Sequence, residues 1–375
     1  MKKDKILVIF TGGTIGSVKV KNVILQPSEA IKRGLLKSND VSNSSLLLNT
    51  LKKQRKEQEY NLDRFEVINA MEVLSENMSI DYYNKLLRFL AKLKLEEYKG
   101  VIITHGTDTL GYTANLIGMM LNEVTVPVML VSSDYVVSDS RANGIKNFVN
   151  AVNYIDSENA LPGVYVSYSK NGLDKIIYGT RAMQCGSLVD DIYGISNDSM
   201  QSYLGTMSGK DFRVYDEELY KKIKGKKEYR ISNLQSFVTS STLRPNVRVV
   251  KPAPGLDYDS LRLETGTAIL HPLYHSGTAC ADGSYSQNII DFSKKCEDNG
   301  CELVVGPLYG TSNKSLYGST EAFKGCNFVM NTSEENAYIK LLIAKALYSQ
   351  SRDVYKYLMT EYNNEFINKY KTLKK

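Results

Sequence analysis

A short apolar segment that runs directly into a pair of glycines constrains the fold of this chain more than any other feature. Ile6 to Phe10 contains only β-branched and large apolar residues, and Thr11-Gly12-Gly13-Thr14 follows at once. An apolar run without polar alternation is typical of a strand that is buried on both faces of a parallel sheet. The glycine pair allows a sharp turn and close approach to a ligand, so we expect an exposed hydroxyl on Thr14.

The same order of strand and helix recurs along the first half of the chain. Apolar runs predict strands at 65–71, 100–104 and 126–132. Apolar residues at helical spacing predict helices at 79–93, 109–121 and 143–154. This alternation indicates a mostly parallel sheet that is covered by helices on both faces. Such sheets bind ligands at the carboxyl ends of their strands, where the loop at 11–14 falls.

A change of character along the chain predicts two domains. Residues 1–205 contain the alternation of strands and helices, whereas residues 206–246 are highly charged and weakly periodic, which predicts a linker with a solvated helix. Apolar runs and helical spacing resume over residues 247–375. We therefore predict an α/β fold with a larger N-terminal domain, whose mostly parallel sheet is flanked by helices, and a smaller C-terminal α/β domain.

Composition argues against several classes of protein. The net charge of +6 comes mostly from scattered lysines and a basic tail, whereas a nucleic-acid-binding surface concentrates its basic residues and interleaves them with aromatic ones. The five cysteines form no C-x-x-C pair, which disfavours a zinc ribbon or a disulfide framework and favours a reducing compartment. No apolar stretch approaches the ~20 residues of a membrane helix. We expect a cytoplasmic protein that binds neither nucleic acid nor membrane.

A second loop, Thr104-His105-Gly106-Thr107-Asp108-Thr109, follows another predicted strand. Thr107, Asp108 or Thr109 could each cap the next helix, but capping requires only one of them. A hydroxyl beside a carboxylate can also act in an acid–base relay, and the carboxylate can bind an ammonium group. Because neither of the other two histidines stands at metal-ligand spacing, His105 is interpreted as a structural residue, and no metal site is predicted.

The two loops together resemble a known family. Ile6 to Ser17 and Val101 to Leu110 are similar to the two signature motifs of L-asparaginases, in the same order and at roughly the same spacing. Residues 74–78 resemble the substrate-binding loop of that family. Residues 250–255 and 333–341 resemble its cytoplasmic, type I branch. The resemblance covers nearly the whole chain apart from residues 206–246.

The resemblance implies an amidohydrolase with a threonine nucleophile. Thr14 would attack the side-chain amide carbon of asparagine, and water would then hydrolyse the resulting acyl-enzyme. Thr107 would belong to a second hydroxyl relay. Asp108 would hold the α-ammonium group of the substrate and Ser75 its α-carboxylate, with Glu76 near the amino end.

The resemblance also implies how the oxyanion is held and how the protein assembles. Backbone N–H groups of the glycine turn and of the second motif would stabilise the oxyanion, and Gly13 and Gly106 would belong to the substrate-binding site. Members of the family need no cofactor and work as homodimers or homotetramers, in which the C-terminal domain completes the site of a neighbouring subunit. The expected ligand is a small amide or amino acid.

Two groups that the family uses for proton transfer are missing. The family carries a tyrosine in a G-Y-x-P segment after the first motif, but the matching stretch from Val23 to Pro27 contains no tyrosine. The family lysine of a G-N-R-x-x-K segment is matched by Gln184, and glutamine cannot shuttle a proton. Loss of one such group costs roughly two to four powers of ten in rate. If this alignment is misplaced, Lys170 or Lys175 is a candidate for the missing ammonium group.

Three functions therefore stay open. The first is an active amidohydrolase on asparagine or on another amide, and the second is a catalytically impaired homologue that binds an amino acid or a partner. The third is an amidotransferase component that acts on aminoacyl-tRNA. We favour the first, because Thr14, Thr107, Asp108 and Ser75 are all present.

Overall fold

The computed structural model describes residues 2–20, 23–33, 47–51, 62–186, 191–197, 199, 201–226, 234–282, 288–309 and 326–367. The chain forms two compact units. The first comprises residues 1–196 and 200–239, and the second comprises residues 197–199 and 240–375. Among the described residues, no helix has both the length and the apolar character needed to cross a membrane.

The first unit contains an eight-stranded sheet. The strands of this unit are β1 (Ile6–Gly12), β2 (Val18–Val20), β3 (Val23–Leu25), β4 (Phe65–Val73), β5 (Gly100–Thr104), β6 (Pro127–Val131), β7 (Gly163–Lys170), β8 (Leu173–Tyr178), β9 (Gly205–Ser208) and β10 (Asp211–Val214). β2 and β3 pair with each other, and the others form the order β10-β9-β8-β7-β6-β5-β1-β4. β4, β1, β5, β6 and β7 run parallel, whereas β8, β9 and β10 are antiparallel to their neighbours.

Helices cover this sheet. The helices of this unit are α1 (Pro27–Lys32), which packs against β2 and β3, and α2 (Ile80–Leu90), α3 (Leu110–Met120), α4 (Gly144–Asp156), α5 (Glu217–Lys224) and α6 (Leu234–Ser240). β1, β5 and β6 are buried along their whole length, as their unbroken apolar runs predicted. α4 contributes Phe148, Val152 and Tyr154 to the core of the sheet, where the Tyr154 ring lies 5.0 Å from that of Tyr165. A mostly parallel sheet between helices is therefore confirmed.

The second unit has a smaller sheet of its own. Its strands are β11 (Val247–Val249), β12 (Ala268–His271), β13 (Glu302–Leu308) and β14 (Asn327–Met330), all parallel and in that order. Its helices are α7 (Ile289–Asp298), α8 (Glu334–Leu347) and α9 (Ser351–Met359). This second parallel sheet confirms the predicted α/β class of the C-terminal part.

The segment 206–246 differs from the predicted linker. β9 and β10 pair as a hairpin that turns at Gly209, where φ is +62°, and they extend the sheet of the first unit. α5 follows, and the side chain of its N-cap residue, Asp216, accepts a hydrogen bond from the backbone N–H of Leu219. The helix buries Leu219 and Ile223 on one face. Among the described residues of this segment, the charged side chains of β10 and α5 are therefore the solvent-facing side of packed elements. The boundary between the compact units falls near residue 240, inside that segment.

A buried ion pair joins β8 to the segment that begins at Asp191. Lys175 Nζ lies 2.6 Å from Asp191 Oδ1 and 2.7 Å from Oδ2, and both side chains are almost fully buried. Burial lowers the pKa of Lys175, and the hydrogen bond with Asp191 opposes that shift. Because its ammonium group is committed to this carboxylate, Lys175 is not a substitute for the missing family lysine.

We predict that Lys175→Met destabilises the protein by about 3–5 kcal/mol, because it leaves the buried carboxylate of Asp191 without its cation. The double variant Lys175→Met/Asp191→Asn should recover part of that loss. Lys221→Met, which removes a lysine from an exposed ion pair with Glu217, is the matched control and should change stability little. Urea unfolding measures all three, and equal losses in the single and double variants would contradict the prediction.

Candidate active site

Three turns meet at the carboxyl edge of the sheet in the first unit. β4, β1 and β5 are adjacent and parallel, so the turns that follow them fall side by side. Each is a single turn of 3-10 helix, at Thr14–Gly16, Ser75–Asn77 and Thr107–Thr109. The two predicted threonine turns are therefore together at the edge where parallel sheets bind ligands.

Glycines allow these turns to touch through their backbones. A Cβ atom on Gly13, whose φ is +76°, would lie 2.3 Å from the backbone nitrogen of Gly106. A Cβ on Gly106 would lie 2.3 Å from Ser75 Oγ. Neither position has room for a side chain, because real Cβ atoms do not approach this closely. Thr14 and Thr107 each follow one of these glycines, so the contact brings their backbones together.

The backbone N–H of Gly13 has a structural use. It donates a hydrogen bond of 2.8 Å to the carbonyl of Val73, at the end of β4. Buried carbonyl groups require such partners, so this bond holds the first turn against the neighbouring strand. The N–H of Gly13 is therefore committed to the neighbouring strand.

Ser75 and Asp108 form a reciprocal pair across two turns. The Ser75 hydroxyl donates to Asp108 Oδ2 and accepts from the Asp108 N–H, each at 3.2 Å. The hydroxyl of Thr109 donates to the Ser75 carbonyl at 3.0 Å. Ser75 is buried, whereas Asp108 is exposed, as is Glu76 in the turn of Ser75. A buried hydroxyl thus orients an exposed carboxylate, which suits that carboxylate to a cationic ligand.

The sequence did not indicate that Gln26 braces the first turn. Its Nε2 donates to the Gly13 carbonyl at 3.2 Å and to Ser17 Oγ at 2.8 Å, and Ser17 Oγ donates to the same carbonyl at 2.8 Å. Gln26 and Ser17 are buried. Gln26 lies in the stretch that lacks the family tyrosine, where Leu25 packs against apolar neighbours. The only local signal was its place before Pro27, which begins α1.

Gln184 lies against the turn at Thr107–Thr109, where the resemblance placed it. Its Nε2 donates to the carbonyl of Thr107 at 2.9 Å and to that of Asp108, and its Oε1 accepts from Gly111 N–H at 3.2 Å. Lys170, the remaining candidate for a missing ammonium group, forms an ion pair of 2.9 Å with Asp134. The side chain beside the second threonine turn is therefore an amide.

His105 has the predicted structural role. It is 1% exposed, and its Nδ1 lies 2.8 Å from the Gly106 carbonyl, which can only accept a hydrogen bond. Nδ1 therefore carries the hydrogen, and Nε2 accepts from the Thr113 hydroxyl at 2.9 Å. Burial lowers the pKa of His105 to about 4, against the raising effects of Gly106 and Asp108. The ring is neutral at pH 7 and holds the second loop to α3.

Comparison with known proteins identifies the family. The model of the asparaginase N-terminal domain matches residues 5–219, which is more than half of the chain. The chain belongs to the asparaginase family. The resemblance of the two sequence motifs is thereby confirmed.

Individual asparaginase relatives are distant. An L-asparaginase of Dirofilaria immitis is 23% identical over 80% of this chain, which spans about half (49%) of that relative's length. A glutamyl-tRNA(Gln) amidotransferase chain of Sulfurisphaera tokodaii is 25% identical over 97% of this chain and 75% of its own length. The solved L-asparaginase of Thermococcus kodakarensis superposes with a TM-score of 0.72 at 20% identity, covering 96% of this chain and 99% of its own. The fold is thus that of an asparaginase.

We predict that the neutral His105 makes stability fall as the pH is lowered from 6.5 to 4. In that range the unfolded chain binds a proton that the folded state excludes, so the contribution of His105 is full above pH 6.5 and is lost toward pH 4. The loss is about 3 kcal/mol.

Thermal unfolding across this range, with His105→Gln as the comparison, measures the effect. The glutamine side chain stays neutral, so the variant should lose less stability on acidification than the unaltered protein does. Equal losses in the two proteins would contradict the assignment.

Proposed function

We propose that this protein hydrolyses the side-chain amide of L-asparagine, or of a related small amide, to a carboxylate and ammonia. The observation that carries the proposal is the backbone contact between Gly13 and Gly106, which joins the two threonine turns at the carboxyl edge of a parallel sheet. Membership of the asparaginase family supports it. Nothing in the proposed reaction requires a cofactor.

Thr14 is the proposed nucleophile. Its Oγ forms a bond to the amide carbon, the bond from that carbon to nitrogen breaks, and the hydroxyl proton leaves with the nitrogen as ammonia. Water then attacks the resulting ester, which releases the acid and returns a proton to Thr14. Thr107, in the adjoining turn, is the proposed relay for these protons.

The proton relay in this chain is weaker than the family pattern implies. Leu25 and Gln26 stand in the stretch where a tyrosine is expected, and Gln184 stands at the lysine position. Each missing proton-transfer group lowers the rate by roughly 10²–10⁴-fold. We therefore expect slow turnover of asparagine.

Asp108 is proposed to select substrates that carry an α-ammonium group. Its carboxylate is exposed and is oriented by the Ser75 hydroxyl, so a cation can approach it. Ser75 is proposed to contact the α-carboxylate, and Glu76, exposed in the same turn, to face the amino end. Oxyanion stabilisation is proposed for backbone N–H groups of the second loop at Gly106, because Gly13 donates its N–H to Val73.

The proposal extends to location and assembly. The type I resemblance and the absence of a disulfide framework in the sequence favour the cytoplasm, and the family pattern favours a homodimer or homotetramer. We expect an oligomer in analytical ultracentrifugation, since the family completes its sites between subunits.

The amidotransferase relatives favour a second candidate function. One of them aligns with 97% of this chain. In this case the same threonine chemistry releases ammonia for a partner that modifies glutamyl-tRNA. Asparagine hydrolysis that rises only when such a partner and its tRNA are present would favour this candidate over a free-standing amidohydrolase.

We predict that Thr14→Ala abolishes the release of ammonia from L-asparagine, because it removes the attacking oxygen. Thr125→Ala, at an exposed threonine before β6 on the opposite edge of the sheet, should retain full activity. Ammonia release across asparagine, glutamine and small amides measures both. If the unaltered, folded protein releases no ammonia from any of these substrates, while L-aspartate raises its melting temperature, the protein binds amino acids without hydrolysing them.

Asp108→Asn is predicted to remove the preference for an α-ammonium group. The unaltered protein should prefer asparagine to succinamate, which lacks that group, by about 10–100-fold in kcat/KM, the value of a charge-assisted hydrogen bond. In the variant the two substrates should become nearly equal. An undiminished preference would show that another group binds the ammonium.

A further inference from the structure

The contacts of Gln184 use both hydrogens and the oxygen of its amide. Its Nε2 has two hydrogens, and it donates to the two successive carbonyls of Thr107 and Asp108. Its Oε1 accepts from Gly111 N–H at 3.2 Å. One side chain from a distant part of the sequence therefore holds three backbone groups within the second threonine turn and the beginning of α3.

One of these groups has a particular need for a partner. Gly111 is the second residue of α3, and N–H groups in the first turn of a helix have no carbonyl partner inside the helix. The N-cap residue, Thr109, forms no capping bond with its side chain, and its hydroxyl donates to the Ser75 carbonyl. Gln184 thus acts as a cap for α3 that is supplied from elsewhere in the chain.

The backbone of Gln184 is held as firmly as its side chain. A Cβ on Gly111 would lie 2.8 Å from the backbone nitrogen of Gln184, so the two segments are in direct contact. Asn115, which is fully buried, donates its Nδ2 to the carbonyls of Gly111 and Ala182, both at 2.8 Å. The segment 182–184 and the first turn of α3 are therefore locked together, and Gln184 reaches the threonine turn from a fixed base.

A lysine at this position cannot reproduce these bonds. An ammonium group can donate to the carbonyls of Thr107 and Asp108, but it has no acceptor for the Gly111 N–H. An amide has both functions. Gln184 therefore differs from a lysine in what it does for the backbone as well as in lacking a proton to transfer.

We propose that Gln184 is a positioning residue, whose amide sets the place of Thr107 and Asp108 by capping α3 and clamping the turn before it. The inference rests on the proposed function, since it assigns this clamp to the amidohydrolase site. It implies that the site depends on the amide at position 184, and that this amide has a role which the family's lysine could not fill.

Kinetics of Gln184 variants test this role. Gln184→Leu removes all three bonds and should lower kcat/KM for the amide substrate by about 10²-fold, the effect of a displacement near 1 Å. Gln184→Lys restores an ammonium group but not the acceptor for the Gly111 N–H, so any gain in activity should stay below the roughly 10²-fold that a proton-transfer group contributes. Gln235→Leu, at an exposed glutamine of α6, is the matched control and should retain full activity. A Gln184→Leu variant that is as active as the unaltered protein, or a gain of more than about 10²-fold in Gln184→Lys, would overturn the proposal.

The pH profile of Gln184→Glu separates positioning from mere stability. When ionised, its carboxylate faces two carbonyl oxygens and repels them, whereas the protonated acid donates to one of them and leaves an oxygen for Gly111. Activity should therefore rise as the pH falls through the carboxyl pKa, adding an ionisation that the unaltered protein lacks. A profile that parallels that of the unaltered protein would contradict the clamp.

Hydrogen exchange tests the clamp even if no substrate is turned over. In Gln184→Leu, amide hydrogens in residues 107–111 should exchange faster, while those of β4 at 65–73 should not change. If the unaltered protein releases no ammonia but this difference is present, the clamp stands and the proposed hydrolysis fails. Unchanged exchange at 107–111 would overturn the clamp itself.

Discussion

The backbone contact between Gly13 and Gly106 is the constraint on which the candidate site depends. A Cβ on Gly13 would lie 2.3 Å from the nitrogen of Gly106, so the two turns meet only where both residues lack side chains. The contact in turn requires β1 and β5 to be adjacent and parallel, so that their turns leave the sheet at the same edge. The proposed nucleophile and its relay are thus brought together by sheet topology and by glycine.

Amide groups and hydroxyls, more than charges, hold this arrangement in place. Gln26 braces the turn that contains Thr14, and Gln184 clamps the turn that contains Thr107. Ser75 joins its own turn to Asp108. His105 is buried and neutral, so it adds a hydrogen-bond donor and acceptor but no charge. The carboxylate of Asp108 is charged, and the buried hydroxyl of Ser75 holds it in position. An ordered backbone around the proposed proton relay, which lacks two of the family's groups, is the physical reason to expect a selective but slow enzyme.

Much of this arrangement could be predicted from local sequence, because local sequence determines it. The unbroken apolar run before Gly12 indicated a strand buried on both faces, and glycines beside threonines indicated the turns. The bonds of Gln26 and Gln184 could not be predicted, since a glutamine has the same local pattern whether it is solvated or clamps a distant carbonyl. The β9–β10 hairpin was missed because its charged residues face solvent, while the two-residue turn at Gly209 is a weak signal beside them.

The most direct test of the proposed chemistry is to identify the covalent intermediate. Acid-quenched protein that has been mixed with excess L-asparagine can be digested and analysed by mass spectrometry, with Thr14→Ala as the control. We expect an aspartyl ester on the peptide that contains Thr14 and none in the control. Ammonia release accompanied by an ester on Thr107, or by no ester at any hydroxyl, would contradict the assignment of Thr14 as the nucleophile.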